Sequence, residues 1–188
     1  MMGPSRFRPP PCAISELPSI DIVVISHSHY DHLSYPDVLE IEKHFHPKWV
    51  VPLGLKAWFA DIGIHNVVEL NWWQAHETKV EGNDNQIKVT CVPAQHWGRR
   101  SLFDQNCALW GGFVLESGGL KFYFAGDTGY CEGFKEIGEH FGSIDLAAIP
   151  VKFIIIDFYF FYFELKLKLN FSSDWSLFSP LVYVFPAC

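Results

Sequence analysis

A short apolar run ends in four metal-ligating side chains within six residues. Residues 21–26 read DIVVIS, and His27-Ser28-His29-Tyr30-Asp31-His32 follows at once. Such a chain must fix the end of a strand at the rim of a sheet and turn sharply there. Side chains two apart in an extended chain point the same way, so His27 and His29 can grip one ion. Asp31 and His32, at the turn toward the next helix, can reach a second ion beside it. Neutral imidazoles and carboxylates are the donors of catalytic zinc. A solvated, His-rich loop is the bland alternative, and four ligands in six residues at a strand end weigh against it.

Two later segments repeat the device. Pro93-Ala94-Gln95-His96-Trp97 puts a histidine directly after the apolar residues 87–92, and Gly126-Asp127-Thr128-Gly129 puts an aspartate directly after residues 120–125. The glycines let the backbone turn sharply around Asp127. Alone, His96 reads as a hydrogen-bonded structural histidine and GDTG as a turn. With the first motif they complete two metal spheres.

Between these segments strands and helices alternate. Strands are expected at 21–26, 49–51, 67–70 and 144–149. Ser34 as N-cap and Pro36 in the first turn open a helix to about residue 44, and further helices are expected at 55–62 and 132–141. Residues 78–80 and 87–92 flank Gly82-Asn83-Asp84-Asn85 as a hairpin, and residues 109–115 and 120–125 flank Ser117-Gly118-Gly119 as another. Alternation mixed with hairpins predicts an α/β fold with a partly antiparallel sheet.

The 188 residues allow one ordinary domain, and an apolar fraction of 49% fills its core. A formal charge of −7 argues against nonspecific nucleic-acid binding, which needs clustered Lys and Arg. It leaves an anionic substrate open, because bound metal inverts the local field. Cys12, Cys91, Cys107, Cys131 and Cys188 form no CxxC pair and read as buried free thiols in a reducing compartment. Residues 1–12 contain no apolar run of the signal-peptide kind.

Composition changes at residue 151. All 14 glycines and all nine histidines precede it, whereas residues 151–188 begin VKFIIIDFYFFYFELKLKLNF. Their apolar run at 153–163 contains Asp157 and falls short of the ~20 residues a bilayer-spanning helix needs. Residues 151–188 are therefore expected to be a divergent tail outside the fold, the product of an alternative or mispredicted carboxy terminus.

The segments GPSRFRPPPCAISELPSIDIVVISHSHYDHL, PAQHWGRRSLFDQNCALWGGF and FYFAGDTGYCEGFKEIGEHFGSIDLAAIP together resemble N-acylphosphatidylethanolamine-hydrolysing phospholipase D of the metallo-β-lactamase fold superfamily. The resemblance runs from about Gly3 to Pro150. It implies an αββα sandwich, here incomplete at both ends, with residues 1–150 as a partial hydrolase domain. It implies a binuclear zinc phosphodiesterase releasing N-acylethanolamine and phosphatidic acid from membrane phospholipid. His27, His29 and His96 would then hold one zinc, Asp31 and His32 the other, and Asp127 would bridge them. Asp31 or Asp127 would orient the attacking oxygen.

The family has one more histidine for the second zinc, beyond GDTG. No histidine follows His140 here, so that sphere is expected to be incomplete. Peripheral association with intracellular endomembranes and a homodimer are further implications of the resemblance. Tyr30, Trp72, Trp73 and Trp97 could touch acyl chains or pack in the core, and Arg99 and Arg100 could pair with phosphate or form a solvated turn. Two other readings stay open: another hydrolase of the superfamily, such as a nuclease or lactonase, and a truncated zinc-binding fragment without activity.

Overall fold

Strand β1 (Ile22–Val24) shows how the layers arise. Ile22 and Val24 enter one buried cluster while Val23, and Ile25 just beyond the strand, enter another, because successive side chains of a strand leave opposite faces. The computed structural model describes residue 10, residues 12–80 and 86–150, and the backbone of Val182–Tyr183.

Four strands form the first sheet. β1 pairs in parallel with β2 (Lys48–Pro52), and β2 in parallel with β3 (Val67–Leu70). Helices α1 (Tyr35–Phe45) and α2 (Lys56–Asp61) cover its outer face, where Val38, Ile41 and Phe59 meet Val23, Trp49 and Val51. The Trp49 indole is fully buried, and its Nε1–H donates to Glu42 Oε2 on α1 at 2.8 Å, so its one polar group is satisfied.

The second sheet runs β4 (Ala75–Lys79), β5 (Gln86–Val92), β6 (Gly112–Ser117), β7 (Leu120–Phe124) and β8 (Leu146–Ala148). Pairing is antiparallel as far as β7 and parallel between β7 and β8. Ile87, Val89 and Cys91, with Phe113, Leu115 and Phe124, face the first sheet across a shared apolar layer. Val92, Val114 and Tyr123 face the other way, against Ile137 and Phe141 of α3 (Gly133–Phe141). The result is the expected four-layer αββα sandwich.

Four expectations shift. Among the described cysteines only Cys91, on a strand facing the inter-sheet layer, is buried; Cys12 and Cys107 are exposed and Cys131 is half-buried. Ser34 occupies the N-cap of α1 with Pro36 in the first turn, but its hydroxyl makes no capping bond. The first hairpin starts at Ala75 rather than residue 78; its AHETK strand alternates exposed and half-buried residues and has no large apolar one, so periodicity does not reveal it. The second hairpin starts at Gly112 rather than 109. Leu109 and Gly111 instead donate their N–H groups across to Leu53 O and Ser26 O, at 2.7 and 3.0 Å. Its turn is as read: Gly118 and Gly119 take φ of 56° and 82°, the conformation a two-residue I′ hairpin requires.

The turn at 82–85 lies outside the described residues. So does the tail at 151–181 and 184–188; Val182–Tyr183, labelled β9, pairs in parallel with Ile22 and Val23. Among the described residues, no helix is long and apolar enough to cross a membrane.

Candidate metal centre

β5 and β7 both run antiparallel to β6, so they end at the same rim of their sheet. β1 delivers residues 27–32 to that rim from the facing sheet, and the Gly111 N–H to Ser26 O bond ties the two sheets there. A short antiparallel bridge between Gln95 and Gly129 sets His96 beside Asp127. Gly129 N–H donates to Gln95 O at 2.9 Å, and Gln95 N–H donates to Thr128 Oγ1 at 2.9 Å.

Three imidazole nitrogens converge. His27 Nε2 lies 2.9 Å from His29 Nδ1, and His96 Nε2 lies 3.2 Å from each of them. Tetrahedral bonds of about 2.0–2.1 Å would put donor nitrogens about 3.3–3.4 Å apart, so the triangle already has nearly the edge lengths of a zinc face. His27 Nδ1–H can donate to Ser26 Oγ at 2.9 Å, the tautomer that turns the Nε2 lone pair into the triangle. One shared proton cannot satisfy three mutually facing nitrogens; a cation can.

A second group of donors adjoins the first. His32 Nε2 stands 3.2 Å from Asp127 Oδ2 and 3.5 Å from Asp31 Oδ2, and Asp127 Oδ2 is 3.9 Å from His96 Nε2. The Asp127 carboxylate thus lies between the two histidine sets. Ligand atoms of His27, His32 and Asp127 all fall within 4.8 Å of one another. Asp31, whose side chain is half exposed, sits at the margin of this group, and His27 stands closer in. His32 Nε2 faces these carboxylates but is buried without a hydrogen bond, a costly state that bound metal relieves; His29 Nε2, across the ring from the Nδ1 of the triangle, is also buried without a partner, and an ordered water would relieve it.

Electrostatics keep the three imidazoles of the first group neutral, as metal ligation requires. Burial, reinforced by the neighbouring His32, His96 and His29, lowers His27 to about 2. Burial also lowers His29 and His96, against the opposing pull of Asp31 and Asp127. Among the described residues the site therefore fits a divalent cation by donor type, spacing and protonation.

The remaining candidates separate. Trp97 is exposed and sets its ring edge-on to His29 at 4.3 Å. Tyr30 is exposed, and its hydroxyl donates to Arg100 O at 2.7 Å. Arg99 spends its guanidinium on Ser101 O and Leu102 O of its own loop. Trp72 donates to Trp110 O at 2.6 Å within the fold, and Trp73 stacks obliquely near His140, away from the histidine triangle. His140 itself packs against Trp73 and Phe141 and joins neither donor group. Ser26, Thr128 and the inward turn of Arg100 are absent from the sequence reading; only the position of Ser26 directly before HxH offered a signal.

Residues 1–166 match the family described as the beta-lactamase superfamily domain, past the composition change at 151. The chain is 46% identical over 157 residues to N-acyl-phosphatidylethanolamine-hydrolyzing phospholipase D 1 of Caenorhabditis elegans, covering 79% of this chain and 43% of that protein. It is 39% identical over 152 residues to the N-acyl-phosphatidylethanolamine-hydrolyzing phospholipase D, mitochondrial, of Saccharomyces cerevisiae, covering 79% of this chain and 32% of that one. The chain thus spans less than half the length of either relative. Among solved structures, a CmlA beta-hydroxylase E377D mutant matches with a TM-score of 0.56 at 20% identity, over 71% of this chain and 26% of that one, a likeness of fold.

Proposed function

The chain belongs to the beta-lactamase superfamily, and from that premise we propose that it is a zinc-dependent phosphodiesterase of the phospholipase D type. Its substrate is N-acylphosphatidylethanolamine, and its products are N-acylethanolamine and phosphatidic acid. The similarity to the Caenorhabditis elegans phospholipase, at 46% identity over 157 residues, carries the choice of substrate. The donor geometry supports the choice of chemistry. Bound zinc supplies Lewis acidity, acidifying water toward pKa ~7 and neutralising charge on phosphoryl oxygens.

The chain's own residues do the rest. His27, His29 and His96 would hold one ion as neutral donors, and His32, Asp127 and Asp31 would hold the other, with the Asp127 carboxylate between the two sets of donors. Asp31, half exposed, orients the attacking water and takes its proton on a carboxylate oxygen as the water oxygen bonds to phosphorus and the P–O bond to the ethanolamine oxygen breaks; the same proton then passes to the departing ethanolamine oxygen, which leaves as the alcohol. Because the substrate is a membrane phospholipid, the chain works as a peripheral protein at an endomembrane surface, alone or as a homodimer, without a nucleic-acid partner. The test is release of N-acylethanolamine from N-acylphosphatidylethanolamine micelles by the purified chain with added zinc. Release abolished in His27→Ala supports the reading; hydrolysis of nucleic-acid diesters or lactones instead would replace it with another hydrolase of the superfamily.

A further inference from the structure

We infer that Arg100 is a positioning residue for the metal centre: it pins the two ends of the segment that carries His29, Asp31 and His32. Its Nη1 donates to Ser28 O at 2.9 Å and to Leu33 O at 2.8 Å, the carbonyls on either side of that segment. The guanidinium lies over the Tyr30 ring at 4.4 Å and near the Trp58 ring at 5.1 Å. The backbone around it is held as well: Arg100 N–H donates to Asp104 Oδ1 at 3.0 Å, and Arg100 O accepts the Tyr30 hydroxyl at 2.7 Å. Side chain and main chain of one residue thus both bond to the ligand turn.

The chemistry suits arginine. A planar cation between two rings stays oriented, and two carbonyl oxygens that face it gain charge-assisted bonds. Within the turn, His32 N–H and Leu33 N–H both return to His29 O, and Leu33 is buried in the core beside it. The ligand spacing at His29 and His32 then depends on a residue that touches no ion.

The inference rests on the metal reading above. The test measures zinc affinity of the full chain by competition with a chromogenic chelator, and the visible spectrum of the cobalt(II)-substituted protein. Arg100→Met, which keeps the stem between the rings and removes the donors, should weaken zinc binding roughly 10–100-fold, the range for lost outer-shell partners. Its cobalt spectrum should shift, a change that mere loss of global stability would not produce. Arg100→Lys should recover part of the affinity, and Tyr30→Phe should lose a smaller part. Those two variants keep the test open should Arg100→Met fail to fold. Zinc affinity within twofold of the parent and an unchanged cobalt spectrum in all three would overturn the inference. A parent chain that binds no zinc would overturn the metal reading and this inference with it.

Discussion

Gly126 takes φ of +63°, and a Cβ there would stand 2.6 Å from Ser26 Cβ. Ser26 is the residue whose hydroxyl sets the His27 tautomer. Gly126→Ala should therefore push Ser26 away and weaken zinc binding roughly 10–100-fold, read by chelator competition; unchanged affinity would show that Ser26 can move without disturbing His27. Protonation gives a second expectation. His27 is held at about 2 by burial, against an ordinary 6.5 in the unfolded chain. Between those values the unfolded state binds the extra proton, so this contribution is complete above 6.5 and is lost as pH falls toward 2. His29 and His96, also lowered, act in the same direction. The urea midpoint of the zinc-free chain should drop from pH 7.5 to 5, with a limiting slope of about 1.4 kcal/mol per pH unit per proton; a flat profile would contradict the burial of these imidazoles. At this scale His27, His29, His32, His96 and Asp127 were legible because ligand chemistry fixes both residue type and spacing. Arg100 was not, because its partners are backbone carbonyls, which leave no mark in a sequence.

At the scale of elements, apolar strands announced themselves and polar ones did not. β5 shows its period in Ile87, Val89 and Cys91, all buried, and its sequence range came within one residue of the observed strand. β4 holds no large apolar residue and was legible only in part, since an edge strand can keep its ladder through main-chain bonds alone. The 109–111 segment was misassigned to a strand because nothing local reveals that its N–H groups cross to the other sheet. The layer between the sheets holds them face to face, while rim contacts such as Gly111 N–H to Ser26 O set the ligand spacing. Leu115, 5% exposed in that layer and paired with Val89 and Phe122, lies toward the end of β6 remote from the ligands. Leu115→Ala should cost about 2–5 kcal/mol in a denaturant titration while the folded fraction keeps its zinc affinity. A loss of zinc affinity in fully folded protein would mean that the inter-sheet layer, rather than the rim contacts, sets the ligand spacing.

For the whole molecule, the order of strands could not be read from periodicity, which gives faces but not neighbours; the resemblance supplied the αββα layering, and the structure supplies the order. The two donor groups are unequal in a way that bears on turnover. The first has three histidine nitrogens at 2.9–3.2 Å, whereas the second has one histidine of its own, the Asp127 carboxylate and the half-exposed Asp31. His27 is common to both groups, so an ion in the first removes it from the second. No histidine follows His140 in the sequence, and His140 faces Trp73 and Phe141 instead. One zinc should therefore bind tightly and a second more weakly, counted by elemental analysis after dialysis against graded chelator. Phosphodiester cleavage that relies on two ions should then be far slower than in the longer Caenorhabditis elegans relative assayed on the same N-acylphosphatidylethanolamine micelles. Raising free zinc should recover rate, because it fills the weaker group. Two zincs of equal affinity, with turnover matching the longer relative, would show that Asp31, His32 and Asp127 suffice for the second ion.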